Sequence, residues 1–163
     1  MPETVYLSLG SNLGDRMANL QAALDSVTHA GMVTEVSSFY EAEPVELTDQ
    51  PWFLNCVAAL QTERTPTELL RSLLNVEQEM GRVRWRNKGP RVIDIDIVLF
   101  GDSVIQEPSL QIPHPAMHRR RFVLQPLAEI APQALHPTLK RTALELLAAL
   151  PEGQIVRRLD AAP

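Results

Sequence analysis

Gly89-Pro90-Arg91-Val92-Ile93-Asp94-Ile95-Asp96-Ile97-Val98-Leu99-Phe100-Gly101 is apolar from Val92 to Phe100 apart from two aspartates. A β-branched run bounded by Gly-Pro and Gly reads as a strand. Residues two apart on a strand share a face, so Asp94 and Asp96 project together while Ile93, Ile95 and Ile97 point the other way. The apolar neighbours predict a central strand of the sheet, not an exposed edge.

Upstream lies the best-marked helix. Thr65 is an N-cap, Pro66 fits the first helical position and Glu68 completes a capping box. Leu69, Leu70, Leu73, Leu74 and Met80 form its apolar stripe. Further back, Phe53 to Leu60 has strand character and pairs with residues 32–41, which alternate loosely and are rich in β-formers; Pro44 to Pro51 is the loop between them. Met17, Leu20, Leu24 and Val27 recur at helical spacing after a buried strand, Val5 to Leu9, that ends at Gly10. The order β-α-β-β-α-β predicts an α+β fold: a ferredoxin-like core with a mainly antiparallel sheet between helices. Extra C-terminal helices are expected at Phe122 to Ile130 and Thr142 to Leu150. No repeat or linker divides residues 1–163, so one domain is expected.

The composition is that of an ordinary globular protein, and no apolar run approaches the roughly 20 residues of a membrane span. The N-terminus shows no secretory pattern and Cys56 has no partner for an internal disulfide, so a cytoplasmic location is expected. A net charge of −5 argues against a general nucleic-acid or membrane-surface binder. The cations are nevertheless concentrated. Arg82, Arg84, Arg86, Lys88 and Arg91 follow one another without an acid, and Arg119, Arg120 and Arg121 form a second cluster just after His114 and His118. Such grouping in an acidic chain points to a small anion.

Two strand carboxylates this close repel each other, and burial without a cation is costly. A divalent ion resolves the conflict, and Mg²⁺ suits a site of one or two carboxylates completed by phosphates and water. The alternative is a solvent-facing pair, or one salt-bridged to the adjacent arginines. Guanidinium groups grip phosphate bidentately at any working pH, and Gly81, Gly89 and Pro90 bracket the arginine run as a loop. Glu77 falls on the apolar face of its helix, where it either orients an arginine or reaches solvent at the last turn. Leu9-Gly10-Ser11-Asn12-Leu13-Gly14 reads as a tight strand-to-helix turn; it lacks the lysine and hydroxyl of a phosphate loop. His114, held between Pro113 and Pro115, is either structural or a phosphate donor. Phe53, Asn55 and Phe122 read from spacing alone as core residues.

Leu9-Gly10-Ser11-Asn12-Leu13-Gly14-Asp15, Ser37-Ser38-Phe39-Tyr40-Glu41, Phe53-Leu54-Asn55, Glu77 with Gly81-Arg82-Val83-Arg84, residues 89–101 and Ile112-Pro113-His114-Pro115 share one further property. Their order and spacing resemble the 6-hydroxymethyl-7,8-dihydropterin pyrophosphokinase family of folate biosynthesis, from Leu7 to about Ala131. The resemblance implies ATP-dependent transfer of pyrophosphate to the pterin's hydroxymethyl oxygen, with release of AMP. It implies two Mg²⁺ ions held by Asp94 and Asp96, Arg82 and Arg91 against the transferring phosphates, and Arg84 and Arg86 in a loop closing on ATP. His114 and Arg120 would hold phosphate, with Glu77 and Ile97 at the nucleotide pocket. Asn55 would hydrogen-bond the pterin edge, Phe53 and Phe122 would sandwich its ring, and Ala42 and Val45 would also contact it. ATP and the pterin are the only partners implied, for a monomer that binds neither nucleic acid nor membrane. The chain departs from the family at four points. Its Gly81–Arg91 loop is one residue shorter than in the best-known members, which leaves Trp85, Arg86 and Lys88 without fixed counterparts. Lys88 stands where a tryptophan is frequent, Phe53 where tyrosine is common, and Glu43 where proline is. Two other classes share parts of the pattern: a ferredoxin-like RNA-binding module, which the acidic charge disfavours, and a metal-dependent phosphohydrolase, which would release phosphate without an acceptor.

Overall fold

From the N-terminus the chain runs β1 (Glu3–Ser11), α1 (Arg16–Val27), β2 (Met32–Val36), β3 (Tyr40–Ala42), β4 (Phe53–Thr62), α2 (Pro66–Glu79) and β5 (Asp94–Phe100). A hairpin of β6 (Ile105–Glu107) and β7 (Leu110–Ile112) follows, then the helices α3 (Arg121–Ile130) and α4 (Ala143–Ala149) and a last strand, β8 (Val156–Arg158). The computed structural model describes residues 2–44, 50–81 and 92–159. Val45, Arg82, Arg84, Trp85, Arg86, Lys88 and Arg91 lie outside the described residues.

The main sheet has the order β5-β1-β4-β3-β8, with β2 also paired to β4. Each of its pairings is antiparallel. With β2 and β3 taken as one interrupted strand, this is the ferredoxin-like order that the sequence predicts. The interruption itself has a local cause. Ser37 N donates to Val57 O at 2.9 Å, while Val57 N donates to the Ser37 hydroxyl, also at 2.9 Å. A side chain thus replaces a ladder carbonyl, and the expected strand over residues 32–41 breaks there.

Two helices cover each face of the sheet. Leu7, Leu9, Leu54, Cys56, Leu60, Ile93, Ile95 and Ile97 pack with Leu20 and Val27 of α1 and Leu69 and Leu73 of α2. On the other face Val57, Val98 and Leu99 meet Val123, Leu124 and Leu127 of α3 and Leu146 of α4. The helices start where expected. Thr65 and Glu68 exchange capping bonds of 3.2 and 2.8 Å, and Thr142 and Glu145 repeat that box at α4. α1 begins at Asp15, whose carboxylate accepts from Ala18 N. No helix of the described residues is long and apolar enough to cross a membrane.

Two expectations need correction. β5 is not a central strand: among the described residues it is the end strand of the sheet, paired with β1 alone. It reads as continuously apolar because helices cover both of its faces, which says nothing about its edge. And β1 does not stop at Gly10 but continues to Ser11, so the turn into α1 belongs to the following residues, with Gly14 at φ 73°.

Candidate active site

The pleat places Asp94 and Asp96 as the spacing requires, on the face opposite Ile95 and Ile97. Their partners on β1 are small: Gly10 stands opposite Asp94 and Ser8 opposite Asp96. Beyond a serine inside an otherwise apolar strand, nothing in the sequence pattern marks Ser8 and Gly10 as site residues.

An end strand has one edge without a ladder partner, and here side-chain and loop groups occupy it. Glu77 of α2 is only 3% exposed, and its Oε2 accepts from Ile95 N at 2.7 Å. That N–H lies between the two aspartates, so Glu77 fixes the backbone from which both project. Of the two readings open in the sequence, exposure to solvent is therefore excluded. Farther along the same strand, His114 N donates to Val98 O at 3.0 Å. The His114 ring is oriented as well, because its Nδ1 accepts from Ala116 N at 3.1 Å. Burial, and then the nearby Arg120 cation, push its pKa down to about 4 against the opposing pull of Asp94. At neutral pH the ring is uncharged, and with Nδ1 used as an acceptor it is Nε2 that carries the proton.

Arg120 occupies the N-cap position of α3 without a side-chain capping bond and lies over Phe122, with Cζ 5.4 Å from the ring centroid. The three-arginine cluster does not act as one group. Arg121 turns away to donate to Pro151 O at 3.3 Å, and Arg119 is exposed. A cavity of about 260 Å³ opens beside Asp96 and His114, lined also by Leu70, Ile97, Leu110 and Gln111. Leu70 comes from α2 and Ile97 from β5, while Leu110 and Gln111 enter through the packing of β7 at this end of the molecule.

Farther across the sheet the chemistry changes. Asp94, Gly10, Asn55 and Tyr40 form one cross-strand row over β5, β1, β4 and β3. Side chains directly opposite in an antiparallel ladder share a face, so at a strand spacing of about 4.8 Å the Asp94 and Asn55 backbones are roughly 10 Å apart with only a glycine between. A Cβ on Gly10 would lie 2.5 Å from Asn55 Oδ1 and 3.4 Å from the Phe53 ring. Phe53 in turn faces Ala42 on β3. Asn55 is 3% exposed, and its Nδ2 has no hydrogen-bond partner among the described residues. Plain core packing does not account for it, because an unspent buried donor costs about 1–3 kcal/mol.

Glu129, on α3 two turns beyond Phe122, accepts from Tyr40 OH at 2.7 Å and from Ser38 N and Oγ at 3.0 and 2.9 Å. Burial and then the Glu129 hydrogen bond push the Tyr40 phenol up to about 12, so it remains a donor. Burial alone would raise Glu129, but the bonds from Tyr40 and Ser38 outweigh it and hold the carboxyl below its usual range. This latch between α3 and β3 spans 89 residues of sequence and left no local signal to find it by.

The comparisons with known proteins agree with this architecture. A family model described as 7,8-dihydro-6-hydroxymethylpterin-pyrophosphokinase (HPPK) matches residues 6–132. The chain is 44% identical over 159 residues to a Pseudomonas aeruginosa protein named 2-amino-4-hydroxy-6-hydroxymethyldihydropteridine pyrophosphokinase, covering 96% of this chain and 98% of that one. It is also 46% identical over 153 residues to the Schizosaccharomyces pombe folic acid synthesis protein fol1, covering 92% of this chain but 21% of fol1. The chain thus spans only about a fifth of the length of such relatives. Among solved structures, the wild-type HPPK-DHPS of Plasmodium falciparum superposes with a TM-score of 0.74 at 17% identity, over 91% of this chain and 44% of that one, which establishes likeness of fold. By its sequence, the chain belongs to the 7,8-dihydro-6-hydroxymethylpterin-pyrophosphokinase family.

Proposed function

We propose that this chain transfers a pyrophosphoryl group from ATP to the hydroxymethyl group of 6-hydroxymethyl-7,8-dihydropterin, releasing AMP, as a step of tetrahydrofolate biosynthesis. The observation that carries it is the row Asp94–Gly10–Asn55. One end offers carboxylates, the other an orphan amide beside an aromatic ring, and the glycine between them leaves the floor flat. A flat heteroaromatic ring fits over Gly10 with its edge on Asn55 and its substituent toward the aspartates. In this proposal Asn55 bonds that edge, Phe53 and Phe122 stack on the ring, and Ala42 and Val45 contact it.

The hydroxymethyl oxygen bonds to the β-phosphorus, the bond from that phosphorus to the α,β-bridging oxygen breaks, AMP leaves and the hydroxyl proton passes to solvent. Asp94 and Asp96 would hold Mg²⁺, two ions in this proposal. Their fit rests on two carboxylates on one face of β5, opposite the small residues Gly10 and Ser8, a donor set that leaves positions for phosphate oxygens and water. Bound there, the metal supplies charge neutralisation and acidifies the acceptor hydroxyl. Glu77 keeps the two aspartates aligned. The neutral His114 donates to phosphate without adding charge, and Arg120 adds a cation at the end of α3. Arg82 and Arg91 would face the transferring phosphates, and Arg84 and Arg86 would close on ATP. The nucleotide enters the cavity at Ile97. Residues 1–163 act as one domain, as a monomer in the cytoplasm on these two small molecules.

Incubating the chain with ATP, Mg²⁺ and the pterin is expected to yield AMP in strict dependence on all three. Phosphate or pyrophosphate released from ATP without pterin would overturn the assignment in favour of hydrolysis. Gly10→Ala probes the floor of the site. Its methyl group must displace the Asn55 amide, so pterin affinity is expected to fall about tenfold or more while nucleotide affinity stays within about twofold. Calorimetric titration of each ligand measures both; equal loss for the two ligands would contradict the proposed geometry.

A further inference from the structure

β3 is three residues long, yet it carries Tyr40 and Ala42 onto the site face, and neither strand propensity nor length explains how so short a piece is held. We propose that the C-terminal segment from Gln154 to Leu159 is a clamp that positions the acceptor end of the site, with Arg157 and Glu43 as its positioning residues. The inference rests on the acceptor lying over Gly10, Phe53 and Asn55, as argued above.

The segment holds the chain where it leaves β3. β8 pairs with the whole of β3, from Tyr40–Arg158 to Ala42–Val156, and Leu159 N donates to Phe39 O at 2.8 Å. Past the strand end, Glu43 N donates to Ile155 O at 3.1 Å. The Glu43 carboxylate accepts from Ile155 N at 2.7 Å, and its carbonyl from Gln154 Nε2 at 2.6 Å. Glu43 is thus the receptor of the clamp.

The same segment holds the chain where it enters β4. The Arg157 guanidinium lies 5.1 Å above the ring of Trp52, the residue before Phe53. Arg157 also approaches one oxygen of Glu41 at 3.7 Å, while Arg16 takes the other at 3.1 Å. Arg16 in turn donates to Trp52 O at 3.1 Å. Two arginines thus tie Glu41 to Trp52 from opposite sides, and this fixes the spacing of Ala42 from its register partner Phe53. Each contact is at the surface and weak alone. Together they order backbone that would otherwise lose its conformational freedom only when the acceptor binds. None of them involves β5, Glu77 or the cavity beside His114, so the effect should be confined to the acceptor.

The test is steady-state kinetics of the full chain carrying Glu43→Ala together with Arg157→Ala. The KM for 6-hydroxymethyl-7,8-dihydropterin is expected to rise about five- to tenfold, while the KM for ATP and kcat at saturation stay within about twofold. Arg157→Lys keeps a cation for Glu41 but loses the planar stack on Trp52, so it should fall between the two and supplies a folded variant if the double one is lost. Thr142→Ala, which removes the cap of α4 away from the site, controls for stability and should leave the acceptor KM unchanged. A working enzyme whose acceptor KM ignores these changes overturns the clamp alone, as do two KM values rising together with a falling Tm. Failure of the unmodified chain to form AMP would overturn the functional proposal, and the clamp with it.

Discussion

If Asp96 holds the proposed metal ion, Asp96→Ala is expected to lower kcat for AMP formation by at least about a thousandfold, because the loss of that ligand would remove several kcal/mol of transition-state stabilisation. The fold should tolerate the change. Asp96 is half-buried and projects from the face opposite the α1–α2 core. Its strand is anchored through backbone groups: Ile95 N to Glu77 and Val98 O to His114 N. Removing one of two neighbouring carboxylates also relieves their mutual repulsion. The Tm should therefore move by no more than about 3 °C. Asp96→Asn, which keeps the shape and loses the charge, should be almost as inactive, and both variants should need more Mg²⁺ for whatever activity remains. AMP formation above about a tenth of the original rate would remove Asp96 from the metal site.

Asn55→Leu should separate activity from stability in the opposite sense to most buried substitutions. Its Nδ2 is buried without a partner among the described residues, a state that costs about 1–3 kcal/mol until a ligand supplies an acceptor. Leucine has nearly the same shape and no donor to satisfy, so the Tm is expected to stay level or rise. Acceptor affinity should drop about a hundredfold or more, since a site built to hydrogen-bond a ligand edge loses its discrimination with the amide. Calorimetry with 6-hydroxymethylpterin and a thermal melt measure the two quantities. A clear fall in Tm with binding retained would make Asn55 an ordinary core residue.

The parts of this protein legible in one dimension are those whose cause is local. The pleat alone puts Asp94 and Asp96 on one side and the isoleucines on the other, as the structure has them. Thr65, Pro66 and Glu68 announce the start of α2 because a capping box is closed within four residues. The alternation of helical and strand periods was enough to order β1, α1, β4, α2 and β5 into the ferredoxin-like arrangement. Helical spacing also flagged Glu77 as misplaced on an apolar stripe, though not why.

What stayed hidden depends on partners far away in sequence. Gly10 looked like the end of a strand; only the pairing of β1 with both β4 and β5 makes it the gap between Asp94 and Asn55. Glu77 needed an open edge on β5 to be explained, and apolar composition cannot distinguish an end strand from a central one when helices cover both faces. Tyr40 meets Glu129, and Glu43 meets Ile155, across 89 and 112 residues, distances over which no periodicity carries information. That Asp94 and Asp96, the pair proposed to hold the metal, share one face is thus legible in the backbone geometry of a single strand. The flat floor beside it, and the supports that hold its edges, exist only once the sheet has closed, because each is a relation between strands.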